Sequence, residues 1–182
     1  RCQSLGKACK LINEGTGQEM CINSNPNDVS APMISPLYGV ISAGMEYNNV
    51  QANGFVLKNR GDDGGCFEAY SRLFFGIETN EAAYCKMDSV HTPSFEYMSE
   101  DFGGMSLMVQ NHTMAFSIPS TEALAQELGI EQSYILDKIG DINFYVRCKD
   151  ANGNANTNEY SINFCVKPGK DLTPPGINKE IK

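Results

Sequence analysis

The stretch YVRCKDANGNANTNEYSINFCV, Tyr145 to Val166, decides the fold class. From Tyr160 onward the apolar residues alternate strictly. Tyr160, Ile162, Phe164 and Val166 share one face, with Ser161, Asn163 and Cys165 between them. That is the period of a half-buried strand. The preceding run behaves alike, with Ile142, Phe144, Val146 and Cys148 on one side and Asn143, Tyr145, Arg147 and Lys149 on the other. Between the runs, DANGNANTN is turn chemistry, because Gly153 and the asparagines tolerate positive φ. The segment reads as a β-hairpin with one face on a core.

The rest of the chain repeats this grammar. From Asp28, the short apolar runs PMISPLYGVI, GFVLKN, FEAYSRLFFGI, AAYCKM, SFEYM, MSLMVQ and TMAFSIP are separated by SAG, NNVQANG, NRGDDGG, ETNE and EDFGG. Many short strands at such spacing indicate an all-β sandwich or barrel. One segment departs from it. PSTEALAQELG offers Ser120 as a helix cap, helix formers from Thr121 to Leu128 and Gly129 as a stop, so a two-turn helix is expected there as a loop decoration. Residues 1–27 carry Cys2, Cys9 and Cys21 among glycines, asparagines and charges, without a helix or strand period. They read as an irregular arm held by disulfides. The remainder divides into a β-domain over 28–170 and an extended arm or linker over 171–182.

Composition bounds the function. The chain of 182 residues holds one good-sized domain, and its net charge of −8, with cations scattered singly, argues against nucleic acid or an anionic membrane as partner. No apolar run approaches a membrane span. The chain opens on Arg1, as a secreted chain freed of its signal peptide or a piece of a longer one would. Seven cysteines without a CxxC pair, beside only two histidines, point to an oxidising, extracellular setting rather than a zinc site. The count is odd. At least one cysteine is therefore free, bonded to another chain, or paired outside this segment.

The candidate chemistry is sparse. His91 and His112 lie in no nucleophile motif, so no catalytic residue and no cofactor are assigned. GDDGG, Gly61 to Gly65, reads as a solvated loop. DANGNAN places oxygens at Asp150, Asn152 and Asn154, an alternation that calcium sites use, but a plain hairpin turn accounts for it better and no metal is assigned. Asn111, in Asn-His-Thr, is an N-glycosylation sequon and so a candidate for a covalent glycan. A chain without tryptophan does not point to a sugar-binding module.

VRCKDANGN, EYSINFCV and DLTPP together resemble the closing strands of the immunoglobulin-like or fibronectin-III-like repeats of large secreted and surface-anchored prokaryotic proteins. FGIETNEAAYCKM, with Phe95, Met98 and His112 after it, resembles the middle of the cysteine-bearing version. The resemblance spans roughly 28–177. It implies an immunoglobulin-like β-sandwich, here with a short inserted helix and irregular terminal arms, acting as a spacer, stalk, adhesive module or fibre subunit without catalysis.

In that architecture Cys85 and Cys148 fall on neighbouring strands. Alternation independently turns both inward, and their bridge would close about 60 residues, contributing on the order of 4 kcal/mol. Cys66 and Cys165 reach one end of the sandwich and form the second expected pair. Cys165 lies on the polar face, which leaves an arm cysteine as its alternative partner. DVSAPMI at Asp28 and DLTPPGI at Asp171 echo each other, as if a further repeat began at the second. Beyond it Pro174 and Pro175 enforce extension, and Ile177 and Ile181 fall on one face of a would-be strand. The expectation is a structural subunit of an extracellular filament or surface assembly. Its partners are copies of itself joined by strand addition, with Cys2 as a covalent lock. The other reading is an adhesin or ligand-binding repeat of a longer surface protein, flanked by adjacent repeats.

Overall fold

A computed structural model describes residues 9–104, 108–119, 123 and 141–167. Among them the molecule is all-β. The strands are β1 (Cys9–Ile12), β2 (Met20–Asn23), β3 (Ile34–Pro36), β4 (Met45–Gln51), β5 (Gly54–Asn59), β6 (Arg72–Asp88), β7 (Glu100–Asp101), β8 (Val109–Ser117), β9 (Asp141–Asp150) and β10 (Tyr160–Cys165). Apart from Ala123, the helix expected from Ser120 to Gly129 lies outside the described residues, as does the arm from Asp171.

The hairpin quoted above forms β9 and β10, with Ile162 opposite Phe144 and Phe164 opposite Ile142. It occupies the middle of the main sheet, whose order is β3-β6-β9-β10-β5-β4, with β7 and β8 also paired to β6. β10 runs parallel to β5, and Gly54 of β5 faces Ser161 so closely that a Cβ there would lie 2.2 Å from the Ser161 carbonyl oxygen. Glycine is the residue that fits. The alternating residues Tyr160, Ile162, Phe164 and Val166 are all buried, and Phe144, Phe164 and Phe116 pack ring to ring at the core.

β6 organises the rest. Its first half, Arg72 to Glu78, pairs with β8, and β3 lies against Ile77 to Thr79. Its second half, Ala83 to Asp88, pairs with β9. ETNE, which reads as a turn in sequence, is instead the bend of this one long strand. The register with β8 shifts between Glu78 and Ala83, and Thr79 turns inward and donates to the carbonyls of Glu81 and Gln110. The bend lets the sheet roll. At its far side β4 returns to β6, where the Tyr47 hydroxyl meets the Leu37 and Gly76 carbonyls at 3.0 and 3.1 Å. Leu37 and Ser42 donate to Gly76 and Phe74 across the remaining gap. The result is a nearly closed sheet around a single core.

The N-terminal arm differs from its expected irregularity. β1 and β2 pair as a separate two-stranded sheet, with Cys9 opposite Asn23 and Leu11 opposite Cys21. Asn13, Gly15 and Gly17 take the positive φ that the tight connection requires. Strands of four residues are too short for periodicity to register in the sequence. Nor do Cys9 and Cys21 hold the arm by a bridge, since both are free thiols. Cys2 lies outside the described residues.

Candidate functional site

A polar cleft lies where the DANGNAN turn meets the segment that enters the domain. Asp150 ends β9, and its carboxylate folds the turn by accepting from the Asn152 and Asn154 amides at 2.9 and 2.8 Å. The two asparagine side chains then reach outward. Asn152 donates to the carbonyls of Asn25 and Asp28, and Asn154 to that of Asp28 at 2.9 Å. Asn156 donates to Pro32. The asparagines that a calcium reading would use as ligands thus serve as a clamp on residues 25–32.

That clamp delivers Asp28 to Asp150, and the bend of β6 supplies Glu81. Oxygens of the three carboxylates lie within 4.8 Å of one another. Asn23, Asn25, Asn80, Gln110 and Asn152 line the same cleft. Burial, then the charges of Asp28 and Asp150, pushes the Glu81 carboxyl above its usual range. The Asp28 carboxyl is held below its own, first by the Ser30 N–H at 2.9 Å. Three carboxylates so placed could share a hard cation. With one oxygen from each they supply three of the six to eight that calcium takes, and Asp150 already accepts bonds within its turn. Asp150 was visible in the sequence as a turn residue. Asp28 and Glu81 were not, because nothing local ties either to that turn.

The histidines occupy separate places. His91 sits 2.6 Å from a Glu159 carboxylate oxygen and stacks on Tyr145 at 4.0 Å between ring centres. Glu159 also accepts from the Thr92 N–H at 2.9 Å and lies 3.5 Å from Arg147. Burial raises its pKa, but His91, the Thr92 N–H and Arg147 outweigh that and hold it below the ordinary glutamate range. Arg147, placed by alternation on the wet face, is only 5% exposed. It donates to the carbonyls of Thr92, Asn156 and Thr157, so the loop after β6 covers it. His112 is buried at 3% exposure, its Nε2 has no partner among the described residues, and burial lowers its pKa. Among the described residues no serine or cysteine hydrogen-bonds either ring. The acid–histidine contact, with the Thr92 N–H and Arg147 on the same carboxylate, fastens the loop after β6.

The cysteines are more telling. Cys85 is bonded to Cys148 and Cys66 to Cys165, the two pairs expected from the sequence. Cys85 and Cys148 face each other across β6 and β9 with 4.0 Å between Cα atoms. Asn156 takes up both the N–H and the C=O of Cys148, and the Cys85 carbonyl turns away to Phe102. The pair thus belongs to the positions of an antiparallel ladder that exchange no main-chain bonds, where side chains approach most closely. At the other bridge, Phe67 and Val166 form a parallel contact, with Phe67 donating to Cys165 at 2.8 Å and Lys167 to Phe67 at 2.7 Å. GDDGG adds to it. Asp62 accepts from the Cys66 N–H at 2.9 Å and from Lys167 Nζ at 2.6 Å, and the Lys167 bond is the main reason its carboxyl is held low.

Asn111 lies on β8 with its side chain exposed. Pro174, Pro175, Ile177 and Ile181 fall outside the described residues. No helix among the described residues is long and apolar enough to cross a membrane. Comparison with known proteins finds no matching family model, curated protein or solved structure.

Proposed function

We propose that this chain is a structural module of an extracellular filament or surface assembly, built to carry tension from one neighbour to the next. In this reading the rolled sheet is a flattened immunoglobulin-like sandwich in which β6 serves both leaves. The observation that carries the proposal is the fastening of the last described strand. β10 lies between β9 and β5, and its final residue is bonded to Cys66. A pull on the chain beyond Val166 therefore passes to Cys66 and cannot peel β10 away. The Asp62–Lys167 pair reinforces the same point. Between the two cysteines, separated by 99 positions in sequence, the chain cannot lengthen while the bond holds. The two bridges also fit an oxidising compartment.

Stretching one molecule between handles at its ends tests this reading. Oxidised, the domain should yield only the contour length outside the Cys66–Cys165 loop. Reduced, it should release about 35 nm more, at the extended rise per residue. Equal lengths in the two states would sink the mechanical role. Joining of neighbours is proposed to use residues 173–182 as an added strand on a neighbouring sheet edge. Deleting them should abolish polymers, and undiminished assembly would end that part of the proposal.

A second reading, an adhesin or ligand-binding repeat of a longer surface protein, is favoured by the acidic cleft at Asp28, Glu81 and Asp150. The mass of the native polypeptide separates the two, because a subunit and a many-repeat protein differ at once.

A further inference from the structure

We infer that Asn111 is an attachment point for an N-linked oligosaccharide, and that the fold presents it on a face left to solvent. The sequon alone marks many asparagines that folding hides. Here the strand geometry settles the side of the sheet. β8 sends alternate residues to opposite faces. His112 goes inward and is 3% exposed, and Met114 and Phe116 follow it onto the core. Asn111 and Thr113, the two residues an N-glycosyl transferase reads, must then share the outer face. Asn111 is exposed and Thr113 half-buried.

The surroundings suit a glycan root. Asn111 stands opposite Glu78 of β6, itself exposed, and Glu78 stands opposite Ser35 of β3. Ser35 Oγ lies 3.4 Å from the Glu78 carboxylate. The row across the three strands is polar throughout, so a saccharide there would displace no core side chain. Asn111 is also near the start of β8, which pairs only with β6 among the described residues.

The donor class is an oligosaccharide linked to a polyprenyl phosphate or diphosphate. The Asn111 Nδ2–C1 bond forms as the anomeric C–O bond to phosphate breaks. The lipid phosphate leaves with the electron pair, and Nδ2 loses one proton. No oxidant or reductant is needed. Because Asn111 is held in register with Glu78 in the folded sheet, transfer takes place before β8 docks, while the chain is being exported. The inference stands apart from the tension-bearing role. It would hold equally for a ligand-binding repeat.

Peptide mass mapping of the protein purified from its natural source tests it. The peptide spanning Asn111 should carry saccharide mass, with fragment ions placing it on that residue. In secreted protein from a glycosylating host, Asn111→Gln and Thr113→Ala should each lose the added mass, and Thr113→Ser should keep it. A native Asn111 without saccharide overturns the inference, as does saccharide that persists at this peptide in Thr113→Ala. The readout is mass, and the unsubstituted native protein decides the inference even where a variant is not secreted.

Discussion

Two of the antiparallel hairpins among the described residues, β1–β2 and β9–β10, look alike up close and behave differently in the whole. β1–β2 and β9–β10 each carry cysteines, and each has a turn gathered by one acidic side chain. Glu19 accepts from the amides of Gly15 and Gly17 at 3.1 and 3.2 Å, much as Asp150 accepts from Asn152 and Asn154. The difference lies in what flanks them. β9–β10 sits between β6 and β5, with one face buried and each strand pinned by a disulfide. Among the described residues β1–β2 pairs only with itself, its thiols are free, and Met20 is 57% exposed. Turn chemistry can start a hairpin. Neighbouring strands and a dry face make it permanent, since a two-stranded ribbon alone is marginal in water.

The largest expected effect tests that contrast through the cysteines. Replacing both Cys85 and Cys148 by alanine opens a loop that joins positions 63 apart. It should cost roughly 3–5 kcal/mol, or about 6–20 °C in melting temperature for a domain of this size. Cys9→Ala and Cys21→Ala should each stay within about 0.5 kcal/mol of the parent, as surface substitutions do. A comparable loss from either arm variant would mean that the arm is an integral part of the body, and the contrast would fail.

A smaller effect is expected where the two regions meet. Asn23, at the end of β2, donates to the Asn152 side chain beside the acidic cleft. Within that cleft the pKa of Glu81 is raised on folding, so the native state keeps its proton to higher pH than the unfolded chain does. The penalty is absent below the ordinary glutamate range. It grows as pH rises through that range to the folded value, and persists at neutral pH. Glu81→Gln should therefore stabilise the protein by about 1–2 °C at pH 7, with exposure keeping the effect modest, and the gain should vanish near pH 4. Thermal melts of parent and variant across that range check it. A loss at neutral pH would indicate that the three carboxylates serve a bound cation, and that the N-terminal segment is held electrostatically as well as by hydrogen bonds.

Several strands of the body are legible from alternation, but β8 runs unbroken from Val109 to Ser117 where the sequence reads as two runs, and β4 extends into NNVQANG, which reads as a separator. GFVLKN is β5, and the quoted hairpin appears in the expected register of inner and outer faces. In sequence the bend at ETNE reads as a turn, because a polar tetrad looks the same at the end of a strand and at a kink within one. The four-residue strands of the arm were missed for want of length. Arg147 was placed in water by its position, and only the loop that folds over it explains its burial.

By itself, then, the sequence determined an all-β chain, the inner faces of β9 and β10, and the inward aim of Cys85 and Cys148. Those follow from a two-residue period and from turn residues, which are local properties of the backbone. The tertiary structure alone decided that one strand bends to join both halves of the sheet and that the sheet rolls nearly closed. It also decided that Asp28, Glu81 and Asp150 share one cleft. Contacts between segments distant in the chain leave no mark on the local pattern, because each residue would obey the same local rules without its distant partner.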